Sequence, residues 1–174
     1  MPQVILDIEI EEECWQKVLP DVLQIAEKVK NAAVDYVFEN ADIEVLKANK
    51  PLLISVCLSD DEHVRELNRD FRGKDKPTNV LTFANVDFAD FKAENEMFGE
   101  IDLGNIIIAY ETMQKEADIE KITLEAHFCH LLTHGILHIL GFDHIEDEEA
   151  EYMESFEREI LHNLGIADPY GAEN

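Results

Sequence analysis

Apolar residues recur along this chain with two different periods. They crowd into short, strand-length segments from Val4 to Ile10 and from Leu52 to Leu58. The second segment, LLISVCL, is apolar throughout, which predicts a strand at the centre of a sheet. Asn79 to Phe83 and Ile101 to Ala109 supply two further strands. Beyond Pro20, the residues Val22, Leu23, Ile25, Ala26, Val29, Ala33 and Val37 follow the helical period, so Pro20 is read as opening a helix. Ser59-Asp60-Asp61-Glu62 predicts a capped start, with acids in the first turn, for a helix running to about Phe71. FRGKDKPTN follows as a loop punctuated by Gly73 and Pro77. The stretch between the third and fourth strands, rich in Asp, Phe, Ala and Glu, predicts a mobile connection. Helical spacing returns from Leu124 through Leu140, with Gly141 as its stop. It returns again from about Asp147 to Leu164, with Met153, Phe156, Ile160 and Leu164 as a buried stripe and Gly165 as the stop. Strands and helices are mixed, and no repeat or linker divides them. The pattern therefore predicts one α+β domain over residues 1–174, with a mixed sheet of about four strands packed by helices.

Composition narrows the class. At 174 residues, 46% hydrophobic and 30% charged, the chain is long enough to bury a core and is not a disordered composition. No apolar run approaches the roughly 20 residues of a membrane span. The opening MPQVILDIEIEEECW lacks the basic and small-residue features of a secretory signal. Cys14, Cys57 and Cys129 are widely spaced and odd in number, which predicts reduced thiols in a cytoplasmic protein.

Charge sharpens this further. The net charge of −25, from 39 acids against 14 bases, argues against a protein that coats duplex nucleic acid. Yet Arg65, Arg69, Arg72, Lys74 and Lys76 place five of those 14 bases in one short strip. A basic strip on a repelling body suits an anionic target held at one place.

The candidate chemistry lies in HGILHILGFDH, residues 134 to 144. His134 and His138 stand one helical turn apart, so both imidazoles project from one face. Gly141 can adopt a positive φ at little cost, and a sharp turn there brings His144 back toward the same point. Three imidazoles with one open position describe a catalytic zinc site rather than a structural one. Nickel, copper or iron would suit the same nitrogens. His127 and His130 lie on the same helix, but two to three turns cover about 11 to 16 Å, too far from His138 to share one ion. His130 is read as a partner of a ligand or as core, and His127 as structural. Asp143 is a candidate acceptor for the free ring N–H of a ligating histidine.

The spacing matches the metzincin protease pattern H-E-x-x-H-x-x-G-x-x-H, except that Gly135 stands where the protease carries its glutamate base. Losing a positioned base typically costs about 10² to 10⁴ in rate, so peptide hydrolysis becomes the second choice. A metal-bound water has its pKa lowered to about 7, so hydroxide is available without that base. Phosphodiester cleavage then needs a cation for the phosphate. Arg72 is the best candidate, because a planar guanidinium clamps two phosphate oxygens. Lys74 and Lys76 are placed to hold neighbouring phosphates.

LNRDFRGKDKPTNVLTF, from Leu67 to Phe83, and EAHFCHLLTHGILHILGFDHIEDEEAEYME together resemble the bacterial YbeY endoribonuclease family. The resemblance extends from the first strand to GIADPY near the C-terminus. It implies a single-domain α+β fold related to the zinc metalloproteases, with one zinc on His134, His138 and His144. It also implies single-strand-specific endoribonuclease activity in maturation of the 3′ end of 16S rRNA and in ribosome quality control. The implied partners are single-stranded rRNA and the small ribosomal subunit, and the family's functional arginine falls on Arg72. Two positions depart from the family pattern: Asn105 follows Leu103-Gly104 where Asp is usual, and Thr82 replaces a frequent serine. A non-enzymatic assembly factor with a structural metal is the other rival reading.

Overall fold

A computed structural model describes residues 1–85 and 99–171. Among these residues, β1 (Val4–Ile10), β2 (Leu52–Ser59), β3 (Val80–Ala84) and β4 (Ile101–Ala109) form one sheet in the order β1-β2-β4-β3. β1 and β4 both run parallel to β2, and β3 closes one edge antiparallel to β4. The α+β class, the strand count and the central place of Leu52 to Leu58 are as expected. The anticipated mobile connection falls on residues 86–98 and lies outside the described residues.

Six α-helices accompany the sheet among the described residues: α1 (Cys14–Val18), α2 (Val22–Asn40), α3 (Asp61–Arg72), α4 (Tyr110–Glu120), α5 (Leu124–Ile139) and α6 (Asp147–Asn163). Three of them differ from the sequence reading. α1, only five residues long, was not anticipated. α2 starts at Val22 rather than Pro20, and its buried stripe is Val22, Ala26, Val29, Ala33, Val34 and Val37, with Leu23 turned to solvent. α4 follows directly on β4 and was not anticipated, since it buries only Met113 and Ala117 and so shows almost no apolar period. α3 begins as expected: the Asp60 carboxylate accepts the His63 backbone N–H at 2.8 Å. It ends at Gly73.

The main core lies between one face of the sheet and α2, α5 and α6. Leu52, Ile54, Val56 and Leu58 of β2 and Ile106 and Ile108 of β4 point into it, each side chain worth about 1.5–3 kcal/mol by burial. Their neighbours point the other way. Ile107 joins Val64, Leu81 and Ala109 in a smaller cluster beneath α3.

α5 runs through the middle of this core, burying Phe128, Leu132, Ile136 and Leu137. Gly135 is where it comes down on the sheet: a Cβ there would meet Ile106 Cγ2 at 2.9 Å. With no side chain at that position the helix packs directly on β4, and its next turn overhangs the β3 edge.

Candidate metal centre

The C-terminal half of α5 presents His134 and His138 on one side, as their spacing requires. Thr123 caps the start of this helix by accepting the Ala126 N–H at 3.0 Å. At its end Gly141 takes φ 108°, with its N–H donating to the His138 carbonyl and the Phe142 N–H to the Leu137 carbonyl. The chain turns sharply there and brings His144 back. One ring nitrogen from each of His134, His138 and His144 lies within 4.8 Å of the others. The His144 ring centroid is 5.5 Å from that of His134 and 4.9 Å from that of His138. The glycine turn therefore does what its position in the sequence suggests.

Hydrogen bonds fix which nitrogens face inward. His134 Nδ1–H donates to the Glu157 carboxylate at 3.3 Å, and His138 Nδ1–H donates to the Phe142 carbonyl at 3.0 Å. Both Nε2 atoms then carry lone pairs, and they stand 3.1 Å apart. Two lone pairs at that distance repel unless a cation lies between them. Ligands of one tetrahedral zinc, at Zn–N of about 2.0–2.1 Å, would sit roughly 3.3 Å apart, so the residues fit such an ion. Burial, with the neighbouring His134 and His144, lowers the His138 pKa to about 4, so its imidazole is neutral and able to ligate at pH 7. No fourth His, Cys, Asp or Glu joins this group among the described residues, and its open side faces a cleft.

Glu157 is the residue that sequence reasoning missed. It lies on α6, 1% exposed, and also accepts from His130 Nε2 at 2.9 Å and from the Tyr170 hydroxyl at 3.1 Å. Burial pushes its pKa up, but the bonds from His130 and His134 outweigh that and hold the carboxyl at about 2. One signal was available: Glu157 falls between Met153 and Ile160 on the apolar stripe, and a buried carboxylate demands partners. His130 thus supports the site through Glu157. His127 is structural, bonded to Glu116 at 2.8 Å. Asp143 does not hold a ring N–H; it accepts the His144 backbone N–H at 2.7 Å, and Glu157 and the Phe142 carbonyl take the role proposed for it.

The cleft beside the three histidines has a volume of about 750 Å³, and Arg72, Lys74 and Lys76 line it. The Arg72 guanidinium donates to the Thr82 carbonyl at 2.7 Å and lies 5.3 Å from the Phe83 ring centroid. Asn68 shapes the loop from beneath: its side-chain amide donates to the Lys76 carbonyl, and its backbone carbonyl accepts the Lys74 N–H. The basic strip is therefore divided. Arg65 pairs with Glu62 and Asp75, and Arg69 with Asp70, whereas Arg72, Lys74 and Lys76 have no carboxylate partner among the described residues. Thr82 lines the cleft, while Asn105 shares a strand face with Ile107, beneath α3 and away from the histidines. The Asp-to-Asn departure thus does not touch the metal group. Gly135 is packed on Ile106 so closely that the Cβ of a glutamate at the protease-base position would force one of them to shift.

A second cluster, unforeseen from the sequence, joins Glu11, Cys57 and His63 near the start of α3. Its groups satisfy one another: the Cys57 thiol donates to the Glu11 carboxylate at 2.9 Å, and His63 Nδ1 lies 2.7 Å from the same oxygen.

Comparisons with known proteins give the family. The model of the Endoribonuclease YbeY family matches residues 7–165. A relative named Endoribonuclease YbeY from Paramagnetospirillum magneticum is 50% identical over 120 residues, covering 69% of this chain and 72% of the relative. Relatives of the same name from Rhodopseudomonas palustris and Agrobacterium fabrum are 42% and 40% identical, each over 97% of this chain, covering 82% and 95% of their own lengths. A solution structure from Thermotoga maritima shares the fold, with a TM-score of 0.52 and 23% identity over 98% of this chain and 96% of its own. The match to the family model and the identities along nearly the whole length place this chain in the Endoribonuclease YbeY family, whose named activity is the cutting of RNA at internal phosphodiester bonds.

Proposed function

We propose that the chain, as one domain over residues 1–174, is a cytoplasmic zinc-dependent endoribonuclease specific for single strands. We further propose that it acts with the small ribosomal subunit in 3′-end maturation of 16S rRNA and in ribosome quality control. The observation that carries the metal dependence is the pair of Nε2 lone pairs facing each other at 3.1 Å. His134, His138 and His144 hold the ion, and Glu157 and the Phe142 carbonyl hold two of those rings in the ligating tautomer. When bound, zinc supplies Lewis acidity and a lowered pKa for water.

Arg72 neutralises the scissile phosphate, because it lines the cleft with no acid partner among the described residues. Its bond to the Thr82 carbonyl and its place over Phe83 hold the guanidinium ready, so little is lost on binding. Lys74 and Lys76 hold adjacent phosphates. The acidic remainder of the surface repels nucleic acid elsewhere, which limits contact to the cleft and makes binding salt-sensitive. The nucleophile is either water or the RNA's own 2′-OH. Product ends decide, since a 2′,3′-cyclic phosphate marks internal attack.

The test is metal analysis of the wild type, His134→Ala and Arg72→Ala, alongside cleavage of a single-stranded oligonucleotide from the 16S rRNA 3′ region. His134→Ala should be folded, metal-poor and inactive, and Arg72→Ala folded, metal-bound and inactive. Cleavage by His134→Ala at the wild-type rate refutes the metal assignment. An unfolded His134→Ala, with no cleavage by the wild type, favours an assembly factor with a structural metal.

A further inference from the structure

Beside Arg72, and outside the residues that line the cleft, lies an aromatic surface that the cleavage chemistry leaves unused. Phe71, in the last turn of α3, is 70% exposed. Leaving so large a ring in water forgoes burial that most phenylalanines obtain. It is nevertheless held in place: its ring meets that of Phe83 edge to face, with centroids 5.8 Å apart. The same Phe83 ring carries the Arg72 guanidinium. A fixed, solvent-facing aromatic ring therefore stands next to the cation that lines the cleft, with Lys74 and Lys76 close by in sequence and on the same cleft.

We infer that Phe71 is a stacking surface for an unpaired base of the RNA strand bound in the cleft, and that this contact favours single strands over duplex. The inference rests on reading the cleft as an RNA-cutting site. Charge complementarity selects the occupant: three bases without acid partners among the described residues line the adjoining cleft in a chain of net charge −25, so the strand that reaches Phe71 is anionic. A basic groove bordered by an exposed aromatic side chain is the arrangement that binds single-stranded nucleic acid without regard to sequence. Bases within a duplex have both faces covered by their neighbours and cannot lie on the ring, whereas splayed bases can.

The test is fluorescence anisotropy with 2′-O-methyl single strands, one intact and a series carrying a single abasic position, and with a duplex of the same sequence. The proteins are the wild type, Phe71→Ala and Phe71→Trp. One abasic position should weaken wild-type binding by about 5- to 150-fold, the usual range for one stacked base. Phe71→Ala should lose a similar factor on the intact strand, show no further loss with the abasic one, and bind duplex as the wild type does. Phe71→Trp should keep the base preference. The ring is exposed, so Phe71→Ala should match the wild type in thermal unfolding. The inference is overturned if no abasic position weakens wild-type binding, if Phe71→Ala keeps the wild-type abasic penalty, or if intact strands do not bind at low salt. Should Phe71→Ala erase the penalty while the wild type cuts no RNA, the stacking surface stands and the cleavage reading falls. Should the wild type cut RNA and the penalty survive in Phe71→Ala, the stacking surface alone falls.

Discussion

His134 and Glu157 meet across the α5–α6 interface, the imidazole Nδ1–H donating to a carboxylate that is 1% exposed. This one contact links the packing of the last helix to the direction in which a candidate ligand points. It also explains why a carboxylate is tolerated in the core: three donors converge on it, so its burial is compensated.

Glu157→Gln should weaken metal binding by about 10- to 100-fold while the fold survives, because the amide no longer fixes the His134 tautomer. Glu157→Ala should cost more, about 3–5 kcal/mol of stability, since it strands the partners of a buried charge. Chelator competition measures the first effect and denaturant unfolding the second. Equal metal affinity in wild type and Glu157→Gln would sink the positioning role.

Gly135→Glu, which restores the protease signature, should not restore a protease. Even Gly135→Ala drives a Cβ to 2.9 Å from Ile106 Cγ2, and such overpacking costs about 1–3 kcal/mol. Ile106→Val alongside Gly135→Ala should recover part of that loss, a coupling that a double-mutant cycle in urea measures. Peptidase activity in Gly135→Glu would contradict the packing argument.

Gly141→Ala should disturb the centre without touching a histidine. A φ of 108° is strained for any residue with a side chain, at about 1–3 kcal/mol. Relief of that strain moves His144 away from the pair on α5. The expected readout is lower metal occupancy together with a lower melting temperature; unchanged metal content would show that His144 is not placed by this turn.

Acid should destabilise the metal-free protein in a defined window. His138 has its folded pKa depressed to about 4, from an ordinary value near 6.5, by burial and its two histidine neighbours. Between those values the unfolded chain binds the extra proton, so stability falls as pH drops from about 6.5 to about 4. Glu157 works in the same direction at lower pH: its depressed carboxyl stabilises the fold above about pH 4.5, and that contribution disappears as pH falls toward about 2. His138→Gln should flatten the upper part of a melting temperature–pH curve and leave the lower part in place.

Arg72→Lys separates charge from geometry. Lysine keeps the positive charge but not the planar fork, so cleavage should fall well below the wild-type rate, approaching the roughly 10²- to 10³-fold loss expected of Arg72→Ala. Both variants should bind metal and melt as the wild type does, because the side chain is exposed. Lys74→Ala should instead lower the salt dependence of RNA binding by about one phosphate contact. A single-turnover assay and a salt titration keep the two effects apart.

Part of this was legible along the chain because it depends on neighbours in sequence. A spacing of four places two imidazoles on one helical face, and a glycine three residues later permits the turn that returns a third. The same local logic gave the four strands, the Asp60 cap and the stop at Gly165. It missed α1, whose five residues with one buried side chain are too few to show a period, and α4, whose two buried side chains leave none to detect, and it misplaced the start of α2, where Pro20 precedes the helix by two residues. Other features arise from packing between distant segments. The sheet order that carries β3 to the edge, the separation of Arg72 from the acid-paired Arg65 and Arg69, the seat of Gly135 on Ile106 and the reach of Glu157 to His134 all depend on which faces meet across the core. Periodicity specifies which side of an element is apolar, but it carries no information about which other element will cover that side, and so the donors of the centre could be read in order while the groups that aim and flank them emerged only from the folded chain.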